Sequence, residues 1–211
     1  MKKEDCLFEI TYLRHEEEIV KSRAKSIAQT RIDIGKRLGK KFPIDADYVI
    51  PMPETAVFNA IGYHLETGIP YCLGVYKTRP KIKTLFIDDR EVTLKETMIT
   101  VPQIIEGKRI VIVDETVISG LTLKVNIEKI RKHNPKEIHL RLVIAPMTRT
   151  CPSSDFGEDW VFAINENNNL AEFFGVDSIE WLSPEDYEDF VNCSYCFGGK
   201  CDNSKMVKTK F

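Results

Sequence analysis

The chain has 211 residues, with 30 Lys and Arg against 32 Asp and Glu, for a net charge of −2. That length suits one ordinary domain, and 43% hydrophobic with 29% charged residues can build a core, which excludes a disordered or fibrous chain. The near-neutral balance excludes nucleic-acid binding through a basic face, no run of 18 apolar residues is present to cross a membrane, and the start, Met1 to Cys6, lacks the apolar stretch of a signal peptide.

A soluble, cytoplasmic chain with neither nucleic acid nor membrane as partner is expected. Apolar residues Ile19, Val20, Ala24, Ile27, Ala28, Ile34 and Leu38 predict a helix over 19–41, with Arg31 interrupting its apolar face. Residues 46–52 read as a strand, Thr55 to about Glu66 as a helix ended by Gly68, and 69–76 as a second strand that buries Cys72. Residues 77–95, with Lys77, Arg79, Lys81, Lys83, Asp88, Asp89 and Arg90, read as a long charged loop of the kind that carries function. Residues 108–115 contain Ile110-Val111-Ile112-Val113, the continuous apolar run of a strand covered on both faces. A helix at about 120–133 and a strand at 137–145 follow. Strand, helix, strand, helix, strand marks a doubly wound α/β sheet. Residues 165–169 read as a loop, and 183–192 as a short helix capped by Ser183. The four histidines show no ligand spacing.

The most informative segment runs from Val111 to Leu123. A buried strand ends in Asp114 and Glu115, and the loop Thr116-Val117-Ile118-Ser119-Gly120-Leu121-Thr122 opens a helix. Loop N–H groups at a helix N-terminus cradle a phosphate, and Gly120 lets the backbone come close. The acids suit sugar hydroxyls and Mg²⁺. Together they read as a ribose-5-phosphate site.

This segment resembles the phosphoribosyl-diphosphate (PRPP) motif of type I phosphoribosyltransferases, and more narrowly that of the phosphoribosyltransferase domain of amidophosphoribosyltransferases. Further similar stretches are Cys6 to Leu13 as an opening strand, Ala28 to Gly35 as a first helix with its Arg, and Val49 to Thr55 as a pyrophosphate loop. Lys77-Thr78-Arg79 resembles the approach to a mobile loop, and Gly175 to Ser183 the C-terminal region. The resemblance implies a type I phosphoribosyltransferase fold, α/β with a mostly parallel sheet flanked by helices. It makes residues 1–211 one phosphoribosyltransferase domain with a cysteine-bearing tail from about 151. It puts Asp114 and Glu115 on the ribose hydroxyls and Mg²⁺, Thr116 to Thr122 on the 5′-phosphate, Pro53, Glu54 and Thr55 on pyrophosphate, with Thr55 also in the Mg²⁺ shell. Lys77, Arg79 and Lys83 fall on the closing loop. The sequence departs from the family at Ser119-Gly120-Leu121-Thr122 (usually Arg-Gly-Thr-Thr), at Pro80 (usually Tyr), at Lys83 (usually Arg) and at Glu115 (usually Asp).

Cys193-Ser-Tyr-Cys196 is by itself a metal chelate, a redox dithiol or a chance pair. Some amidophosphoribosyltransferases carry a [4Fe–4S] cluster on four cysteines, and the resemblance places Cys6, Cys151, Cys193 and Cys196 at those positions. The rival is zinc on Cys193, Cys196, Cys201 and one more cysteine. The family's glutaminase domain has no counterpart in these residues, so glutamine is not expected to be used by this chain alone. The implied reaction is Mg²⁺-dependent transfer from PRPP to ammonia or another small amine, with a separate ammonia-supplying protein as a further partner and a homo-oligomeric assembly. The alternatives are transfer to a nucleobase-like acceptor and a non-catalytic PRPP sensor.

Overall fold

The computed structural model describes residues 6–20, 22–78, 98–151, 169–189 and 191–201. Its centre is a sheet of four parallel strands in the order β3 (Tyr48–Pro51), β6 (Arg109–Asp114), β7 (Glu137–Leu142) and β8 (Ser178–Trp181). Alternation along β6 explains its unbroken apolar run. Val111 and Val113 join one buried cluster with Val49, and Ile110 and Ile112 join the other with Ile50, Leu140 and Leu142. Each face carries its own helical layer, as parallel strands require.

On the first face lie α1 (Ile27–Lys41) and α2 (Val57–Thr67), through Ile34, Leu38, Ala60 and Tyr63. They cross at glycines. A Cβ on Gly35 would sit 2.0 Å from the Asn59 carbonyl oxygen, and one on Gly62 would sit 2.1 Å from that of Ile32. Gly68 ends α2 with φ 74°, the left-handed cap that favours glycine. The second face is covered by α4 (Leu121–Arg131) and α5 (Leu170–Phe174), with the short α3 (Pro102–Ile105) beside them. Two small antiparallel ribbons stand apart, β1 (Ile19–Val20) with β2 (Lys25–Ser26), and β4 (Val75–Lys77) with β5 (Met98–Thr100).

Four expectations need correction. The helix over 19–41 begins only at Ile27, where Ser26 caps it by accepting from the Gln29 amide, and Ala24 turns the chain with φ 51°. Of the strand expected over Cys6 to Leu13 only Cys6 bridges another segment, at Cys193, and residues 7–13 are helical. Leu7, Ile10 and Thr11 are buried at helical spacing, and Phe8 stacks on Tyr12 at 5.3 Å. The strand expected over 69–76 contracts to Val75–Lys77 plus a single bridge from Tyr71 to Val49, which leaves Cys72 half-buried. The helix expected over 183–192 is a 3₁₀ turn, Pro184–Tyr187, with Ser183 in a capping box with Asp186. Of the predicted 165–169 loop only Asn169 is described, as the N-cap of α5. The tail is docked by Lys41 on Asp186 and Arg37 on Asp189, and by Tyr187, whose hydroxyl donates to the Val143 carbonyl.

Candidate active site

A cavity of about 720 Å³ opens at the carboxyl ends of β3 and β6. It has three walls. The first is Asp114 to Gly120 with Thr122 and Leu123, the second is Met52 to Thr55 with Lys77, and the third is Tyr12 to Glu16. Parallel sheets place ligand sites at this end.

The first wall is the strand-to-helix turn. Gly120 takes φ 73° and its carbonyl accepts from the Lys124 amide, so α4 starts with its amides toward the cavity end. Thr116 is anchored by its hydroxyl donating 2.8 Å to the Ala145 carbonyl. Val117 is buried in the second core cluster. Leu121 packs against that core and is not a cavity residue, so one position of the expected cradle holds the helix rather than the ligand.

Asp114 and Glu115 are both buried. The Glu115 amide donates 2.9 Å to Asp114 Oδ1, while Glu115 Oε1 has no hydrogen-bond partner. Burial first, and then the neighbouring Glu115 charge, push the Asp114 pKa well above the usual carboxylate range. Two buried acids side by side, one with an orphaned oxygen, form a donor set that suits a hard cation.

On the second wall, Pro53 and Thr55 are half-buried and Glu54 is exposed. The Pro53–Glu54 peptide is cis. Lys77 is half-buried. Burial lowers its pKa, and Glu54 and then Glu115 act against that shift. An ammonium in this position faces anions from two walls. Arg79 and Lys83 lie outside the described residues. Tyr12 to Glu16 is the wall that sequence reasoning missed, because only Tyr12 and Leu13 were read, as the end of a strand, and no local pattern reveals the path of residues 14–16. His15 stands at its rim, its ring nitrogen within 4.8 Å of carboxylate oxygens of Glu16 and Glu17. The other histidines are tied into the fold, His64 to the Ile69 carbonyl, His133 to Thr100, and His139 to Ser178 and Glu137.

The residues that match the phosphoribosyl transferase domain family are 77–178, which span the acid pair and the cradle. The amidophosphoribosyltransferase of Methanocaldococcus jannaschii is 32% identical over 208 residues, covering 92% of this chain and 43% of the relative. That of Synechocystis is also 32% identical, covering 92% and 41%. A solved structure of the allosteric regulatory enzyme of purine biosynthesis superposes with a TM-score of 0.76 at 26% identity, over 96% of this chain and 47% of that one. The chain is a phosphoribosyltransferase domain of the amidophosphoribosyltransferase type. It has the type I phosphoribosyltransferase fold and spans less than half the length of the curated relatives it matches.

Away from the cavity, five cysteines converge where the N-terminal segment meets the tail. The Leu7 amide donates 2.9 Å to the Cys193 carbonyl, and the Thr148 amide donates 2.9 Å to that of Cys196. Cys6 and Cys201 both hydrogen-bond Cys193, and Cys196 hydrogen-bonds Cys151. The Cys193 thiol is lowered to about 6, chiefly by Cys6, against its burial. Cys201 is pushed up to about 12 by burial and by Cys193, and Cys6 and Cys196 are also raised, each first by its thiol partner. Among the described residues no three cysteine sulfurs lie within 4.8 Å of one another. A single tetrahedral zinc ion, with Zn–S bonds of about 2.3 Å, therefore finds no preassembled Cys₄ set.

Proposed function

We propose that this chain transfers a phosphoribosyl group from PRPP, with Mg²⁺, to ammonia or another small amine, releasing pyrophosphate and forming a phosphoribosylamine-type product. The observation that carries the reading is one cavity in which a buried acid pair and a glycine-opened helix N-terminus face Lys77 and the 53–55 loop. The choice of an amine rests on the relatives, amidophosphoribosyltransferases matched along 92% of this chain. The ammonia comes from solution or from a separate protein.

In the reaction the amine nitrogen bonds to the anomeric carbon as the bond to pyrophosphate oxygen breaks, with oxocarbenium character between. The protein's part is to position and to stabilise charge. Thr116 to Gly120 and Thr122 hold the 5′-phosphate on backbone N–H groups and hydroxyls. Asp114 and Glu115 accept from the ribose hydroxyls. Glu54, Thr55 and Lys77 surround the pyrophosphate, and Lys77 offsets charge growing on the leaving oxygens. The orphaned Glu115 Oε1 and the crowded acid pair fit Mg²⁺, which Asp114, Glu115 and Thr55 would hold. Mg²⁺ held there would neutralise charge on the pyrophosphate.

The cysteine convergence supports a second part of the proposal, a structural [4Fe–4S] cluster on Cys6, Cys151, Cys193 and Cys196. A cube distributes its thiolates over four irons and needs them farther apart than one ion does. Cys196 hydrogen-bonds Cys151, and Cys6 hydrogen-bonds Cys193, so the four candidate ligands fall into two thiol pairs.

The binding half of the proposal is tested by calorimetry. PRPP is expected to bind only with Mg²⁺ present. Lys77→Ala is expected to weaken PRPP about tenfold, roughly the 1.4 kcal/mol of one charge-assisted contact, while ribose 5-phosphate binds as before. A variant that binds both ligands as the wild type does would remove Lys77 from the pyrophosphate side.

A further inference from the structure

Among the described residues the largest fully buried side chain is a charged one, Arg31 on α1. A guanidinium does not enter a core without work for each donor. Here Nε donates 3.0 Å to the Ile10 carbonyl, Nη2 donates 2.9 Å to the Arg14 carbonyl, and Nη1 donates 2.9 Å to Glu16 Oε1. Two of the acceptors, at Arg14 and Glu16, belong to the third wall of the cavity, and Ile10 lies two residues before it. On the helix side, the Arg31 carbonyl accepts 2.9 Å from Asn59 of α2, which fixes the base of the side chain. Burial lowers the Arg31 pKa, and Glu115 followed by Glu16 act against that shift, so Glu115 and the buried cation feel each other.

We propose that Arg31 is a positioning residue of the transfer site: its three donors fix the run from Ile10 to Glu16 that carries the third cavity wall, and its permanent charge acts on Glu115. The inference rests on the reading of Asp114 and Glu115 as the Mg²⁺ and ribose acids. With one wall given to the phosphoribosyl group and one to pyrophosphate, the Arg31-held wall is the side left for the attacking amine. The two duties separate by chemistry. A lysine keeps the charge but has a compact ammonium in place of the planar fork that serves three acceptors. A methionine loses both charge and fork.

The test measures Mg²⁺ half-saturation, PRPP KM and kcat with ammonia. Arg31→Met removes the cation behind the acids. It is expected to lower the Mg²⁺ half-saturation concentration about threefold and to raise PRPP KM about threefold, because a more negative site favours the cation and repels the polyanion. Mere loss of packing weakens both. Arg31→Lys is expected to leave Mg²⁺ half-saturation within about twofold while kcat falls about tenfold, since the wall shifts and the charge stays. Glu16→Gln leaves Arg31 in place without its ion-pair partner and keeps the test open if Arg31→Met does not fold. It is expected to raise Mg²⁺ half-saturation, the opposite sign, because more of the cation's field reaches Glu115. Parallel weakening of Mg²⁺ and PRPP in Arg31→Met, or no change in either with Glu16→Gln, overturns the proposal. Asp114→Asn in the same preparation separates the two failures. If that variant is fully active, the acid-pair reading has failed. If it is inactive and the Arg31 signs are wrong, only the positioning role has.

Discussion

Asp114→Asn is expected to abolish pyrophosphate release from PRPP and, in the same protein, to raise heat stability when no metal is bound. The activity loss follows from position. Asp114 ends β6 at the cavity, buried beside Glu115, where the proposal puts the ribose hydroxyls and Mg²⁺. Removing a charge that acts on the reacting group in a water-poor site costs about a hundredfold to a thousandfold in kcat. The stability gain follows from the sign of the pKa shift. Burial and Glu115 raise the folded-state pKa above its unfolded value. The stabilising contribution is then fully present below the unfolded pKa, near 3.9, and is lost as pH rises through the folded pKa. At neutral pH Asp114 therefore opposes folding of the metal-free protein, either by burying a charge or by taking up a proton. An asparagine is neutral throughout, so the variant gains about 1–2 kcal/mol, or several degrees in Tm for a chain of this size. Calorimetry in EDTA near neutral pH should show the gain, and a scan near pH 4 should show it shrinking. Added Mg²⁺ and PRPP should raise Tm for the wild type only, by linkage. A variant less stable than the wild type at neutral pH would mean that Asp114 is a structural acid.

The second large effect concerns the thiols. Protein made without oxygen is expected to carry about four irons per chain and to be brown. Cys196→Ser is expected to lose the iron and much of the tail's stability, because metal-binding energy is folding energy where the ligands join separate segments. Cys6 comes from the N-terminal segment, Cys151 from beyond β7, and Cys193 with Cys196 from the tail. Hydrogen bonds from Leu7 and Thr148 already hold these segments together, and the Arg37 and Lys41 ion pairs reinforce them, so the tail retains part of its docking without metal. Cys72→Ser should change neither iron nor colour. Iron-free, colourless protein from an anaerobic preparation contradicts the cluster.

The central strands of the parallel sheet were legible because they bury both faces, as the run Ile110 to Val113 does, whereas the half-exposed β8 was not read as a strand. The strand-to-helix turn at the cavity was legible because its signals are local, with acids, a glycine and hydroxyls within nine residues of one another. Segments shaped by distant partners were not. Ile19 and Val20 fit a helical period, yet Ser26 supplies a better cap and residues 19–26 pair as a ribbon. Cys6 to Leu13 was taken as a strand on its resemblance, but its buried residues follow a helical spacing against the core. Arg31 registered only as an interruption of an apolar face. Its acceptors lie 15 to 21 residues away in the chain, on a segment whose path no local pattern reveals. The third cavity wall was missed for the same reason.

The most direct test of the account is pyrophosphate release from PRPP with Mg²⁺, measured with ammonia, a set of small amines, glutamine and nucleobases offered in turn. The account predicts release with ammonia or a small amine that depends on Mg²⁺ and is lost in Asp114→Asn. Release only with a nucleobase, or PRPP binding with no release by any acceptor, would contradict it.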